Sequence, residues 1–104
     1  MGLFGNRDGT FRRGALEVIS SLQIPLDDSN VSTQSGTYER HEISGLGHSG
    51  RDYSGALKEF KDKLSAYGPL YVTLLHVGET RLGSTVTVPK VSVIAYREAP
   101  KTAA

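Results

Sequence analysis

The stretch GLGHSG, Gly45 to Gly50, has the spacing G-x-G-x-x-G. In a dinucleotide-binding loop the first glycine permits a tight turn and the second lets backbone approach the pyrophosphate. The third lets the helix pack on the strand, and the phosphate rests on the free N–H groups of the helix N-terminus. The order around the motif fits: a strand candidate, TYERHEIS, lies before it, and a strong helical pattern follows. The context does not fit. The preceding segment is polar where a buried strand should be apolar, and the best helix cap, Asp52 or Ser54, comes after the third glycine. The acid expected about 20 residues further on, at the end of the next strand, is absent, because Glu79 lies well past that distance. A doubly wound domain is also hard to fit into 104 residues. A smaller role remains. Gly45, Gly47 and Gly50 give backbone access, His48, Ser49 and Arg51 supply donors, and Asp52 opens the helix. Such a loop could hold a phosphate, sulfate, carboxylate or nucleotide-like ligand. The plainer alternative is a surface loop whose glycines only permit a turn.

The other reactive residue types form no recognisable set. His41, His48 and His76 could join Glu42 or Asp52 around a metal, but their spacing matches neither H-E-x-x-H nor a zinc finger, so no metal is expected. Ser49, His48 and Asp52 could be named as a triad, yet near neighbours in sequence seldom make that geometry, and G-x-S-x-G is missing. Glu39 and Glu42 fall on opposite sides of a strand and cannot act as paired carboxylates. With no cysteine, thiolate nucleophiles, disulfides and cysteine-ligated metals are excluded. Arg7, Arg12 and Arg13 are the one basic cluster. Arg12 and Arg13 read as the start of a helix, unfavourably placed against its dipole, which points either to an acidic partner such as nucleic acid or to an ordinary solvated surface.

The elements that would position these residues follow from periodicity. MGLFGNRDGT reads as a turn at Asn6, Asp8 and Gly9. In FRRGALEVISSL, Phe11, Ala15, Val18, Ile19 and Leu22 recur at helical steps, with Thr10 or Asp8 as cap and Pro25 as terminator. LDDSNVSTQSG, Leu26 to Gly36, reads as a loop. In TYERHEIS, Tyr38, Arg40, Glu42 and Ser44 share one side and Glu39, His41 and Ile43 the other, giving a wet edge strand. DYSGALKEFKDKLSAYG is the best helix: Ala56, Leu57, Phe60, Leu64 and Tyr67 form its apolar stripe, and Gly68 follows its end. Lys58–Asp62 and Glu59–Lys63 pair on its outer face. PLYVTLLHV reads as a central strand, with Leu70, Val72 and Leu74 on one face and Tyr71, Leu75 and Val77 on the other. The second helix should lie against it. STVTVPKVSVIAYRE is β-rich, with a break, bulge or edge position expected at Pro89. RDGTFRRGALEVISSL and RDYSGALKEFKDKL echo one another through Gly-Ala-Leu, which reads either as an ancient duplication or, the favoured alternative because the period is not repeated further, as two amphipathic helices of ordinary composition matching by chance.

The expected architecture is α+β: one domain over 1–104, with flexible ends at 1–9 and 98–104. Two helices pack on one face of a small, mainly antiparallel sheet in the order α-β-α-β-β. A hydrophobic content of 38% supports a modest core, built mainly from aliphatic residues because there is no Trp. A formal charge of +1 matches poorly with a dedicated nucleic-acid binder. No apolar run approaches the roughly 20 residues of a membrane span, and MGLFGN lacks signal-peptide features. The functional expectation is a non-catalytic structural or interaction protein that self-assembles, soluble and cytoplasmic or part of a viral or phage particle, with no cofactor. The alternative is a small binding protein that holds an anionic or nucleotide-like ligand at the Gly45–Asp52 loop.

Overall fold

A computed structural model describes residues 3–27 and 38–99. The elements run α1 (Leu3–Ser21), β1 (Tyr38–Leu46), α2 (Tyr53–Tyr67), β2 (Tyr71–Leu82) and β3 (Val86–Glu98). The sheet is antiparallel with order β1-β3-β2, and this is the α+β arrangement expected. One core joins both helices to the sheet: Phe11, Ala15 and Ile19 from α1, Ala56, Phe60 and Leu64 from α2, and Val72, Leu75, Val91, Val93 and Ala95 from the sheet. The alternate residues of β3 face away from the helices, as the two-residue period of a strand requires.

Helix α1 begins earlier than its sequence indicates. Asn6, Asp8 and Gly9 lie inside it and form no turn, and Thr10 and Asp8 are interior positions, not caps. Burying the Phe11–Ala15–Ile19 face outweighs the weak local propensity of the three glycines in the helix. Arg12 and Arg13 therefore sit mid-helix, away from the dipole's positive end. Pro25 does not terminate it either. The chain leaves the helix at Gln23, which takes φ 60°. Gln23 N donates to Ser20 O at 2.9 Å and Ile24 N to Ile19 O at 3.1 Å, the paired bonds of a Schellman ending. Ile24 folds back onto the core. Helix α2 follows its expectations, from the Asp52 cap to Gly68 in the left-handed conformation, with Gly68 N–H donating to Leu64 O. The Gly-Ala-Leu echo marks where the helices meet: Ala15 and Ala56 are fully buried, and a Cβ on Gly14 would lie 2.7 Å from Leu57 Cδ1.

Two expectations for the sheet are overturned. The central strand is β3, not Leu70–Val77, and α2 packs on β1 and β3 while α1 covers β2. Pro89 interrupts nothing. Its carbonyl accepts from Gly47 N at 3.0 Å, so its nitrogen also points toward β1, just where β1 has run out. The missing N–H then costs no rung with β2. The bulge lies instead in β2, where the register slips between Thr73 and His76. Leu74 takes φ 57° there, and the extra residue brings Leu75 into the core while turning Leu74 outward. A strict alternation of Leu70, Val72 and Leu74 against Tyr71, Leu75 and Val77 is therefore broken: Val72, Leu75 and Val77 share the core side. Leu26 forms a parallel bridge with Val72, so the segment expected to be a loop begins as an extra rung on β2. The rest of that segment, 28–37, and the outermost parts of the expected flexible ends, 1–2 and 100–104, lie outside the described residues.

Candidate functional site: the glycine loop and the free edge of the sheet

The Gly45–Asp52 loop connects β1 to α2, and its first two glycines are set by packing. A Cβ on Gly45 would stand 2.5 Å from Phe60 N and closer still to Ala56 O. A Cβ on Gly47 would press on Asp52 O and approach Pro89 Cδ at 3.0 Å. At Gly45 helix α2 thus rests directly on the backbone of β1, with no room for a side chain between them. Gly50 differs, because a Cβ there would meet nothing nearer than Thr87 O at 3.5 Å.

The loop's amides meet carboxylates of the same chain. Asp52 Oδ1 accepts from Gly55 N at 2.9 Å, and Asp52 Oδ2 accepts from His48 N at 2.8 Å. His48 Nδ1 lies 3.2 Å from the same oxygen, with its side chain almost wholly in solvent. Hydrogen bonds from the His48 and then the Gly55 amides hold the Asp52 carboxyl below its usual value, against the opposing effect of desolvation. Glu59 Oε1 accepts from Leu46 N at 2.6 Å, and Gly47 N goes to Pro89 O. The positive end of α2 is thus met by Asp52, as an N-cap meets it. Ser49, Gly50 and Arg51 are exposed around this cap.

The histidines are separated. His41 packs edge-on against Tyr67 at 5.4 Å on β1, His48 stands on the loop, and His76 is exposed opposite Ser92. Among the described residues no three His, Asp or Glu side chains gather closely enough to hold a metal. Arg12 directs Nη1 to Leu75 O at 3.4 Å, bracing α1 on β2, while Arg13 is exposed. The side chain of Arg7 lies outside the described residues.

Several groups not singled out by sequence give the helix-free side its character. Tyr71 and Tyr96 stack at 4.8 Å, and Tyr38 meets Tyr71 edge-on at 6.0 Å. Arg40, Glu42, Leu74, Ile94 and Tyr96 help to line a cavity of about 340 Å³ beside them. Beyond the Leu46–Lys90 pair β1 is absent, and β2 and β3 continue as a two-stranded ribbon. Its last cross-strand pair, Leu82 and Val86, is 43% and 44% exposed. Only the β1 pattern was readable in advance: Tyr38, Arg40, Glu42 and Ser44 do share one side. No helix among the described residues is long and apolar enough to cross a membrane. No protein-family model, curated protein or solved structure matches the chain.

Proposed function

We propose that this is a non-catalytic interaction protein that self-assembles through its sheet. The observation that supports it is the ribbon that extends past β1 and ends in the exposed Leu82–Val86 pair. A two-stranded ribbon is marginal in water by itself. An apolar pair at its end gains most when another surface covers it. A component of a particle built from many copies, such as a viral or phage particle, is a role of this class. A ligand-holding role for the Gly45–Asp52 loop draws less support. An incoming anion would have to displace Asp52 from the His48 and Gly55 amides and would meet its charge.

Native mass spectrometry and sedimentation velocity across micromolar concentrations test the reading. Assembly that grows with concentration and weakens in Leu82→Glu supports it. A monomer throughout overturns it. Monomers that carry the extra mass of a small anionic ligand, lost in Arg51→Ala, would favour the binding-protein reading instead.

A further inference from the structure

We propose that β1 pairs antiparallel with β1 of a second copy about a two-fold axis at His41, joining two three-stranded sheets into one of six strands. The proposal rests on the self-assembly reading and names a partner surface for it. In the described structure β1 pairs only with β3, leaving its outer side open.

The backbone direction along that edge is fixed by two independent bonds. Gly47 N donates inward to Pro89 O, and Leu46 N donates outward to Glu59 Oε1. Because peptide groups alternate along a strand, those of Tyr38, Arg40, Glu42 and Ser44 point outward with that of Leu46. Glu59 already occupies the Leu46 N–H, so the open rungs run from Tyr38 to Ser44. A two-fold axis at His41 places Arg40 opposite Glu42 of the second copy, and Glu42 opposite its Arg40. Tyr38 then faces Ser44, also twice. All four are outward pairs, giving about eight backbone hydrogen bonds by the antiparallel pattern.

Charge selects this register. Opposite charges directly across an antiparallel pair attract and like charges repel. Moving the axis to Arg40 sets two arginines face to face, and moving it to Glu42 sets two glutamates face to face. An axis at Ile43 places Arg40 against Leu46, whose N–H is already bound. Only the His41 axis pairs both charges with their opposites. Arg40 and Glu42 are exposed, and Lys90 Nζ lies 3.8 Å from Glu42 Oε2. The glutamate would then sit between Lys90 and the second copy's arginine. Charged residues usually keep an edge strand from pairing; here their order makes one register self-complementary.

His41 would lie across from its own copy in a non-hydrogen-bonded pair, with Cα atoms about 4.5 Å apart, within disulfide reach. The chain has no cysteine, so His41→Cys introduces a single thiol on an exposed position. The test is oxidation of the full-length His41→Cys and Ser44→Cys variants, with dimer affinity measured by sedimentation for Arg40→Glu, Glu42→Arg and the double exchange. The expected result is a covalent dimer for His41→Cys and little for Ser44→Cys, whose two thiols would stand about 20 Å apart at strand spacing. Each single charge change should weaken the dimer at least about tenfold, and the double exchange should restore it to within about threefold. An oligomer that is indifferent to these charges and does not link through residue 41 overturns the β1 pairing while leaving self-assembly intact. A monomer in every measurement overturns both.

Discussion

Gly45 of β1 and Phe60 of α2 are so close that a Cβ on the glycine would lie 2.5 Å from the phenylalanine's backbone nitrogen. Backbone atoms on a helix cannot step aside as a flexible side chain can. Gly45→Ala should therefore lower stability by about 1–3 kcal/mol or more, the cost of overpacking. Gly50→Ala, with nothing nearer than 3.5 Å, should stay within about 0.5 kcal/mol. Urea unfolding of the two variants separates the packing role of this glycine pattern from a general need for a flexible loop. Equal effects would contradict the close-approach account.

Asp52 gives the loop a pH signature. Its carboxyl is held below the usual value by the His48 and Gly55 amides, so the folded state binds its proton less readily than the unfolded chain does. The resulting stabilisation is fully present above the ordinary carboxyl value of 3.8 and is lost as pH falls through the lowered folded value. Asp52→Asn retains an acceptor for the cap and removes this titration. Its acid-unfolding curve should be flatter below about pH 4 than that of the parent protein. Parallel curves would mean that Asp52 is not the titrating cap.

The parts of the fold legible in the sequence were those with a local cause. The Ala56–Phe60–Leu64 stripe, the Asp52 cap and Gly68 each act within one helix, and all three stand where expected. Strand order was not legible in this way. Val72 and Val77 lie in an apolar run, but which strand is central depends on β1 pairing with β3, a contact between distant segments. Pro89 was misleading because its tolerance depends on β1 ending at Leu46. The Leu74 bulge carries no glycine to announce it. In the candidate site, the residue types around Asp52 were visible, but the role of Glu59 was not: its bond to Leu46 N exists only once α2 lies on β1.

Gln23 marks a place where the sequence is locally at odds with the fold. It holds φ 60°, exposed, at the end of α1, where its Cβ is unfavourable and glycine is the usual residue. The bonds from Gln23 and Ile24 back to Ser20 and Ile19 use only backbone atoms. Gln23→Gly should keep them and raise stability by about 1 kcal/mol. A rise in the thermal midpoint is the expected readout. A fall would mean that the Gln23 side chain contributes more than its backbone strain costs.

Arg97 joins three elements at once. It lies directly across from Glu39 in the β1–β3 ladder, and its Nε donates to Glu39 Oε1. Its Nη1 donates to Tyr67 O at 3.2 Å, at the negative end of α2, and its guanidinium lies 4.2 Å from the centre of the Tyr67 ring. A planar fork can bind a carboxylate, reach a carbonyl and cover a ring together, whereas an ammonium group cannot. Arg97→Lys should therefore lose about 0.5–1.5 kcal/mol although the charge is kept, a range lowered for the partial exposure of the group. High salt should remove only part of the difference, because the ring contact and the carbonyl bond persist when exposed charges are screened. Unfolding of parent and variant at low and high salt is the measurement. A lysine variant as stable as the parent would reduce Arg97 to an ordinary surface ion pair.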